Sequence, residues 1–248
     1  MILLKSLQEI AKMEVANRIV AEVLEGVREK IKPGIETREL DELAEEMCRQ
    51  RRVKPAFKGY RGFPRSLCVS INEEVVHGIP GSRRLAAGDL VSLDFGVKYD
   101  GYHGDAAITV PVGEVDPKAR ALMEATEKSL YAGIAMVKKG NRLSDISHAV
   151  QDVVEGAGFG VVREFVGHGI GRALHEDPQI PNFGPPGRGP VLQPGITMAI
   201  EPMTSLGSWK VRILQDGWTA VTEDGSCSAH FEHTVALTEN GVLILSRL

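Results

Sequence analysis

Two aspartates lie in sequence that otherwise reads as the interior of a sheet, and they restrict the possible folds of this chain more than any other feature. Asp94 sits in Leu90-Val91-Ser92-Leu93-Asp94-Phe95, a short apolar run with the character of a buried strand. Asp105 opens Ala106-Ala107-Ile108-Thr109-Val110, which reads as another. Between them, Lys98-Tyr99-Asp100-Gly101 carries Asp-Gly, a strong signal for a tight hairpin turn. Closing that hairpin draws the two carboxylates together, and close buried carboxylates repel unless a proton or a cation compensates them. The pair therefore reads as half of a metal site, against the plainer alternative of two turn or surface aspartates.

A chain of 248 residues has room for one large α/β domain with a core and a buried site. The net charge of -4 gives no sign of a general nucleic-acid binder, and Lys54, Lys58, Arg61 and Arg65 read as the solvated face of a loop. Cys48, Cys68 and Cys227 are odd in number and scattered, which argues against a disulfide framework and for a reduced, cytoplasmic setting. The start, Met1 to Lys5, is too short for a signal-peptide core, and no later stretch reaches membrane-spanning length.

Ser6 with Glu9 forms a capping-box pattern, and Ile10, Met13, Val20, Val23, Leu24, Val27 and Ile31 continue a helical stripe until Pro33-Gly34. Thr37 is placed to cap a second helix through Leu40, Leu43, Ala44 and Met47. Lys54 to Pro64 mixes breakers with aromatics, as a loop lining an apolar pocket would, and Leu67 to Ile71 reads as a strand. His77, between a β-prone run and Gly78-Ile79-Pro80, is held as rigidly as a substrate-contacting imidazole must be. Asp116-Pro117 starts a helix that can run to Gly140, and Ser144 can cap another ending at Gly156. Gly156-Ala157-Gly158-Phe159-Gly160 follows a helix and lacks the spacing of a dinucleotide loop. The order of helices and strands suggests two similar halves.

The second half supplies further metal-competent groups. His168 lies in the small-residue run Gly167 to Gly171, and His175 follows in another constrained loop. Thr197 to Glu201 is a strand candidate ending in an acid, with Pro202 favouring extended geometry at Glu201. In Ala229 to Val235, period two puts His230, Glu232 and Thr234 on one face and Phe231 and His233 on the other. If Glu232 points at the site, His233 does not. Asp94, Asp105, His168, Glu201 and Glu232 thus offer four carboxylates and a neutral imidazole, a charge of -4 that two divalent cations cancel. Oxygen-rich ligation with one nitrogen suits manganese, iron or cobalt and accommodates zinc.

Asn72 to Pro80, Asp94, Gly104-Asp105, Gly167 to Gly171, Ile200-Glu201-Pro202 and Phe231 to Thr234 resemble the signature of type I methionine aminopeptidases, across nearly the whole chain. The resemblance implies an α/β (α+β) pita-bread fold: two halves related by pseudo-twofold symmetry around a curved antiparallel sheet, forming one catalytic domain over residues 1–248 with two metals at its centre. It implies removal of the initiator methionine from nascent polypeptides whose second residue is small, by water activated between the ions. By the same resemblance Asp105 and Glu232 bridge the ions, Asp94 holds one, and His168 with Glu201 holds the other. Glu201 would be general base and proton donor, His175 would stabilise the oxyanion, and His77 would hydrogen-bond the substrate backbone. Tyr60, Phe63, Cys68 and Trp218 match positions lining the methionine pocket, where aromatics and a soft sulfur suit a thioether. Backbone oxygens near Asn72, Glu74 and Ser228 are placed as for a monovalent cation in some relatives.

Two residues depart from the pattern: Leu174 where an aromatic is frequent, and His230 where glutamine is. The partners implied are N-termini of nascent peptides and the ribosome that bears them, met by a monomer with no sequence-specific nucleic-acid site and no membrane anchor. Prolidase and aminopeptidase P share the five ligands but usually carry an additional N-terminal domain, for which this chain has no room. The separations of 33 residues from His168 to Glu201 and 31 from Glu201 to Glu232 leave no space for the insert of type II enzymes. A binding protein that has lost its metals would not be expected to keep all five ligands together with His77 and His175.

Overall fold

A computed structural model describes residues 1–247. In α1 (Leu7–Arg28) the capping box forms as expected, Glu9 N donating to Ser6 Oγ at 3.3 Å and Ser6 N to Glu9 Oε2 at 2.9 Å. The stripe from Ile10 to Val27 is buried, but the helix stops short of Ile31, because Lys30 and Ile31 turn back onto the carbonyls of Val27 and Arg28. In α2 (Thr37–Arg51) Thr37 is the first helical residue and not the cap. Glu36 N donates to Glu39 Oε1 at 2.8 Å, while the Thr37 hydroxyl donates to Gly81 O at 3.1 Å.

The loop after α2 contains only β1 (Lys54–Pro55) and a single 3-10 turn at Tyr60–Gly62 before β2 (Leu67–Ile71) and β3 (Glu74–Val76). Strands β4 (Leu90–Tyr99) and β5 (Tyr102–Pro111) then form the expected hairpin, with φ of 44° at Asp100 and 84° at Gly101. Asp-Gly is suited to two consecutive positive φ values. In α3 (Pro117–Ala135) Asp116 caps as read, Oδ1 accepting from Lys118 N at 2.7 Å, but the helix ends before Gly140. In α4 (Leu143–Gly156) the cap belongs to Arg142, whose N donates to Asp145 Oδ2 at 2.8 Å; Ser144 Oγ instead accepts from Arg188 N.

The remaining strands are β6 (Gly160–Val161), β7 (Gly167–Gly169), β8 (Glu176–Ile180), β9 (Thr197–Ile200), β10 (Met203–Ser205), β11 (Val211–Ile213), β12 (Ala220–Thr222), β13 (Ser228–His230), β14 (Glu232–Thr238) and β15 (Gly241–Ile244). The main sheet runs β1-β4-β5-β14-β9-β7-β8, with β2 beside β4 and β15 beside β14, and its pairings are antiparallel. Antiparallel β5 and β14 form the seam between the halves, Glu232 opposite Ala107 and His233 opposite Ala106. On one side α1 and α2 bury Val20, Leu24, Leu40 and Ala44 against Leu93 and Phe95; on the other, Leu130, Ile134 and Ile146 pack on Met198, Ile200 and Val235. The expected single strand through Ala229 to Val235 is broken at Phe231, so that β13 joins a small sheet with β10 and β6 while β14 enters the main one.

Candidate metal centre and adjoining pocket

Hairpin register decides where the two aspartates meet. Asp94 is opposite Ala107 and Asp105 opposite Gly96, a diagonal pair on one face of the sheet. Across the seam Glu232 also lies opposite Ala107, so the short side chain of Ala107 is flanked by Asp94 and Glu232. His168 comes from β7, opposite Ala199 of β9, and Glu201 follows the last residue of β9. His168 Nε2 is 3.5 Å from Glu201 Oε1 and 4.0 Å from Asp105 Oδ2. One ligand atom each from Asp105, His168 and Glu232 lies within 4.8 Å of the others.

The tautomer of His168 follows from its other nitrogen, Nδ1, which lies 3.0 Å from Gly169 O. A carbonyl only accepts, so Nδ1 carries the hydrogen and the Nε2 lone pair is left for a cation. Glycine on either side lets β7 fit between its neighbours: a Cβ on Gly167 would lie 2.4 Å from Ala199 O, and one on Gly169 2.1 Å from Asp177 O.

The electrostatics have one unusual property. Asp94 Oδ1, Asp105 Oδ1 and Glu232 Oε1 are enclosed and have no hydrogen-bond partner, and no Lys or Arg among the described residues pairs with any of the four acids. Burial raises the Asp94 carboxyl to about 7. Burial first, and the neighbouring acids second, push Asp105, Glu201 and Glu232 well above the usual carboxylate range. Burial lowers His168 to about 4. Bare carboxylate oxygens around an imidazole lone pair are a donor set that fits divalent cations, whose charge would reverse these shifts.

The same residues border a cavity of about 180 Å³ that extends to Tyr60, Phe63, Cys68, His77, His175 and Trp218, so every side chain singled out in the sequence faces one space. Phe63 and Trp218 meet edge to face at 5.2 Å. Cys68 is paired with Asp94 across β2 and β4, and burial pushes its thiol up, so it stays protonated. His77 has φ of 61°, an uncommon conformation for a non-glycine residue, and its ring stands edge-on to Phe165 at 5.4 Å and to Trp218 at 6.3 Å. The His175 ring lies 4.2 Å from that of His168 and stacks on Tyr60 at 5.3 Å, its Nδ1 2.9 Å from the Tyr60 hydroxyl. Burial lowers His175 to about 3.

His233 turns away, as period two requires, to Ser246 and Tyr131. Both departures border the cavity: Leu174 also belongs to the core cluster of Ile10 and Met13, and buried His230 has its Nε2 unpaired. Sequence reasoning missed Phe165, whose signal was an aromatic three residues before His168. It also missed Asn17, a buried mid-helix amide whose Oδ1 accepts from Asp105 N at 3.2 Å.

A family model described as "Metallopeptidase family M24" matches residues 11–239. The chain is similar to "Methionine aminopeptidase 1" of Bacillus subtilis, 55% identical over 248 residues and covering 100% of both chains. It is similar to the "Methionine aminopeptidase" of Clostridium perfringens, 52% identical over 99% of each. The crystal structure of methionine aminopeptidase from Thermotoga maritima superposes with a TM-score of 0.98 at 52% identity, covering 100% of both chains. Prolidase from Pyrococcus furiosus shares the fold at a TM-score of 0.81 and 24% identity, and the present chain covers 65% of it.

Proposed function

The chain belongs to metallopeptidase family M24, and on that premise we propose a role for each residue of the site in the chemistry the family performs. The protein is a metal-dependent hydrolase that removes N-terminal methionine, built on the pita-bread fold. Its substrates are the N-termini of nascent polypeptides, those with a small second residue above all, and residues 1–248 act as one catalytic unit.

Asp94, Asp105, His168, Glu201 and Glu232 would hold two divalent ions. The observation that carries this is the trio of enclosed, unpartnered oxygens on Asp94, Asp105 and Glu232, with Asp105 and Glu232 offering ligand atoms within 4.8 Å of one on His168. Four carboxylates and a neutral imidazole balance two divalent charges; manganese, iron, cobalt and zinc all suit the donors. Bound there, the ions supply a water acidic enough to ionise near neutral pH and polarise the scissile carbonyl.

The protein's own groups do the rest. Glu201 takes the proton of the attacking water and hands it to the leaving amine. His175 donates a hydrogen bond to the oxyanion of the tetrahedral intermediate, and His77, fixed by its backbone and by Phe165, holds the substrate's main chain. Phe63, Cys68 and Trp218 enclose the methionine side chain, an apolar wall with a neutral thiol against a thioether. A monovalent cation is assigned beside β3, where the Ser228 hydroxyl and the carbonyl oxygens of Asn72 and Glu74 gather, Ser228 Oγ lying 2.8 Å from each carbonyl.

The test offers metal-reconstituted protein Met-Ala-Ser beside Ala-Pro-Ala and Gly-Pro. Methionine release from the first peptide alone is the expected result. Preference for the proline peptides would move the assignment to a prolidase-like activity on the same fold.

A further inference from the structure

His175 is useful to an oxyanion only in one of its two neutral forms, the one with its proton on Nε2, and nothing in the imidazole itself selects that form. The selection must come from the partner of Nδ1. That partner is the Tyr60 hydroxyl, 2.9 Å away across 115 residues of chain, with the two rings stacked at 5.3 Å and an interplanar angle of 21°. Tyr60 belongs to a loop with unusual backbone, between Gly59 at φ of 85° and Arg61 at φ of 49°, and its side chain lines the cavity.

A phenol can donate to Nδ1 or accept from it. In the second case Nε2 would present a lone pair, which would repel an oxyanion developing beside His168, whose ring lies 4.2 Å from that of His175. Donation by Tyr60 leaves Nε2 as the donor. We propose that Tyr60 is a positioning residue: its O–H donates to His175 Nδ1 and thereby holds the imidazole in the tautomer that presents Nε2–H to the oxyanion. This deepens the role given to His175 above and rests on it. It also changes what Tyr60 is for, from a wall of the methionine pocket to a part of the oxyanion apparatus.

Tyr60→Phe keeps the stacked ring and deletes only the hydroxyl. In metal-reconstituted protein with Met-Ala-Ser, kcat is expected to fall about 10-fold or more, below the roughly 100- to 1,000-fold cost of losing an oxyanion donor outright, with KM within about 2-fold. In a His175→Ala background the same substitution is expected to change kcat by less than about 2-fold, because the group it acts through is gone. ¹⁵N NMR of histidine-labelled protein is expected to show Nε2 of His175 protonated in the parent chain and a mixture of tautomers in Tyr60→Phe. An undiminished kcat in Tyr60→Phe, an equal loss in both backgrounds, or a proton on Nδ1 in the parent chain would overturn the proposal. A parent chain that releases no methionine would instead sink the functional reading, and the NMR result would still decide the tautomer.

Discussion

Asp94 and Glu232, 138 residues apart in sequence, stand on opposite sides of the same residue, Ala107, each with one enclosed oxygen that meets no donor. Two half-domains are therefore joined at a point where negative charge accumulates and only a cation or protons can compensate it. A bound divalent ion should act as a clamp across the β5–β14 seam. Dialysis against a chelator is expected to abolish methionine release and to lower the melting temperature by roughly 5–10 °C, restored by adding back a divalent metal, as ligand linkage predicts for saturating ion. A stripped sample that melts and turns over unchanged would remove the cations from the account.

Glu201 is expected to be indispensable to turnover and dispensable to the fold. It follows β9, its backbone carbonyl accepts from Asn182 Nδ2 at 3.0 Å, and none of the strand pairings depends on its side chain. Glu201→Gln keeps the shape and loses the proton acceptor, so kcat should drop by about three orders of magnitude or more with the circular dichroism spectrum unchanged. Near-normal turnover in that variant would transfer the base to another group.

The acids of the site were legible because each stands where local pattern has no use for a charge, inside an apolar strand or at its end. Asp-Gly likewise fixed the hairpin by its backbone alone. Helix ends were less legible, since the cap is decided by contacts beyond the window: the Thr37 hydroxyl is taken by Gly81, 44 residues on, and Ser144 by Arg188. The break at Phe231 is hidden for a related reason, because alternation continues through it while the chain passes from one sheet to another. The contact between Tyr60 and His175 leaves no trace in either neighbourhood; it exists only once the fold closes.

His233 provides a control for the side-chain alternation. It neighbours Glu232 but bonds Ser246 Oγ through Nδ1 at 2.8 Å and approaches the Tyr131 hydroxyl at 3.3 Å through Nε2. His233→Ala is expected to keep kcat/KM within about 2-fold and to cost roughly 1–2 kcal/mol of stability in urea unfolding, the loss of partly buried hydrogen bonds. Glu232→Ala should do the reverse at the site, ending turnover. Equal catalytic losses in the two variants would contradict the register of β14.

The N-terminus of α1 should give the protein an acid-sensitive anchor. The Tyr102 hydroxyl donates to Glu9 Oε1 at 2.6 Å, and with the Ser6 cap and Arg172 this holds the Glu9 carboxyl down at about 2. A carboxyl depressed in the folded state stabilises fully above its ordinary value near 4.5, and that contribution is lost as pH falls toward 2. After allowance for screening at a side chain 28% exposed, it is worth roughly 1–2 kcal/mol. Urea unfolding of Glu9→Gln should show that loss at pH 6, a shrinking difference below about pH 4.5, and convergence on the parent chain only as pH falls through about 2. A constant difference between the two across that range would place the carboxylate's contribution elsewhere.

Gly104, next to Asp105, is where α1 touches the hairpin without any side chain between them. A Cβ there would lie 2.8 Å from Ala16 C and Asn17 N and 3.0 Å from Asn17 Cα, all helix backbone that cannot rotate away. In Gly104→Ala the helix must therefore move off β5, and Asn17 moves with it, weakening the bond by which its Oδ1 accepts from Asp105 N. The expected cost is about 1–3 kcal/mol in urea unfolding, as for overpacking elsewhere, together with weaker binding in a divalent-metal titration because Asp105 loses its backbone support. Gly101→Ala separates the two effects: at φ of 84° with open space around it, it strains the turn but does not touch the helix. It should lose stability and keep its metal affinity. If both variants lose affinity alike, the helix is not what steadies Asp105, and general loosening of the hairpin is.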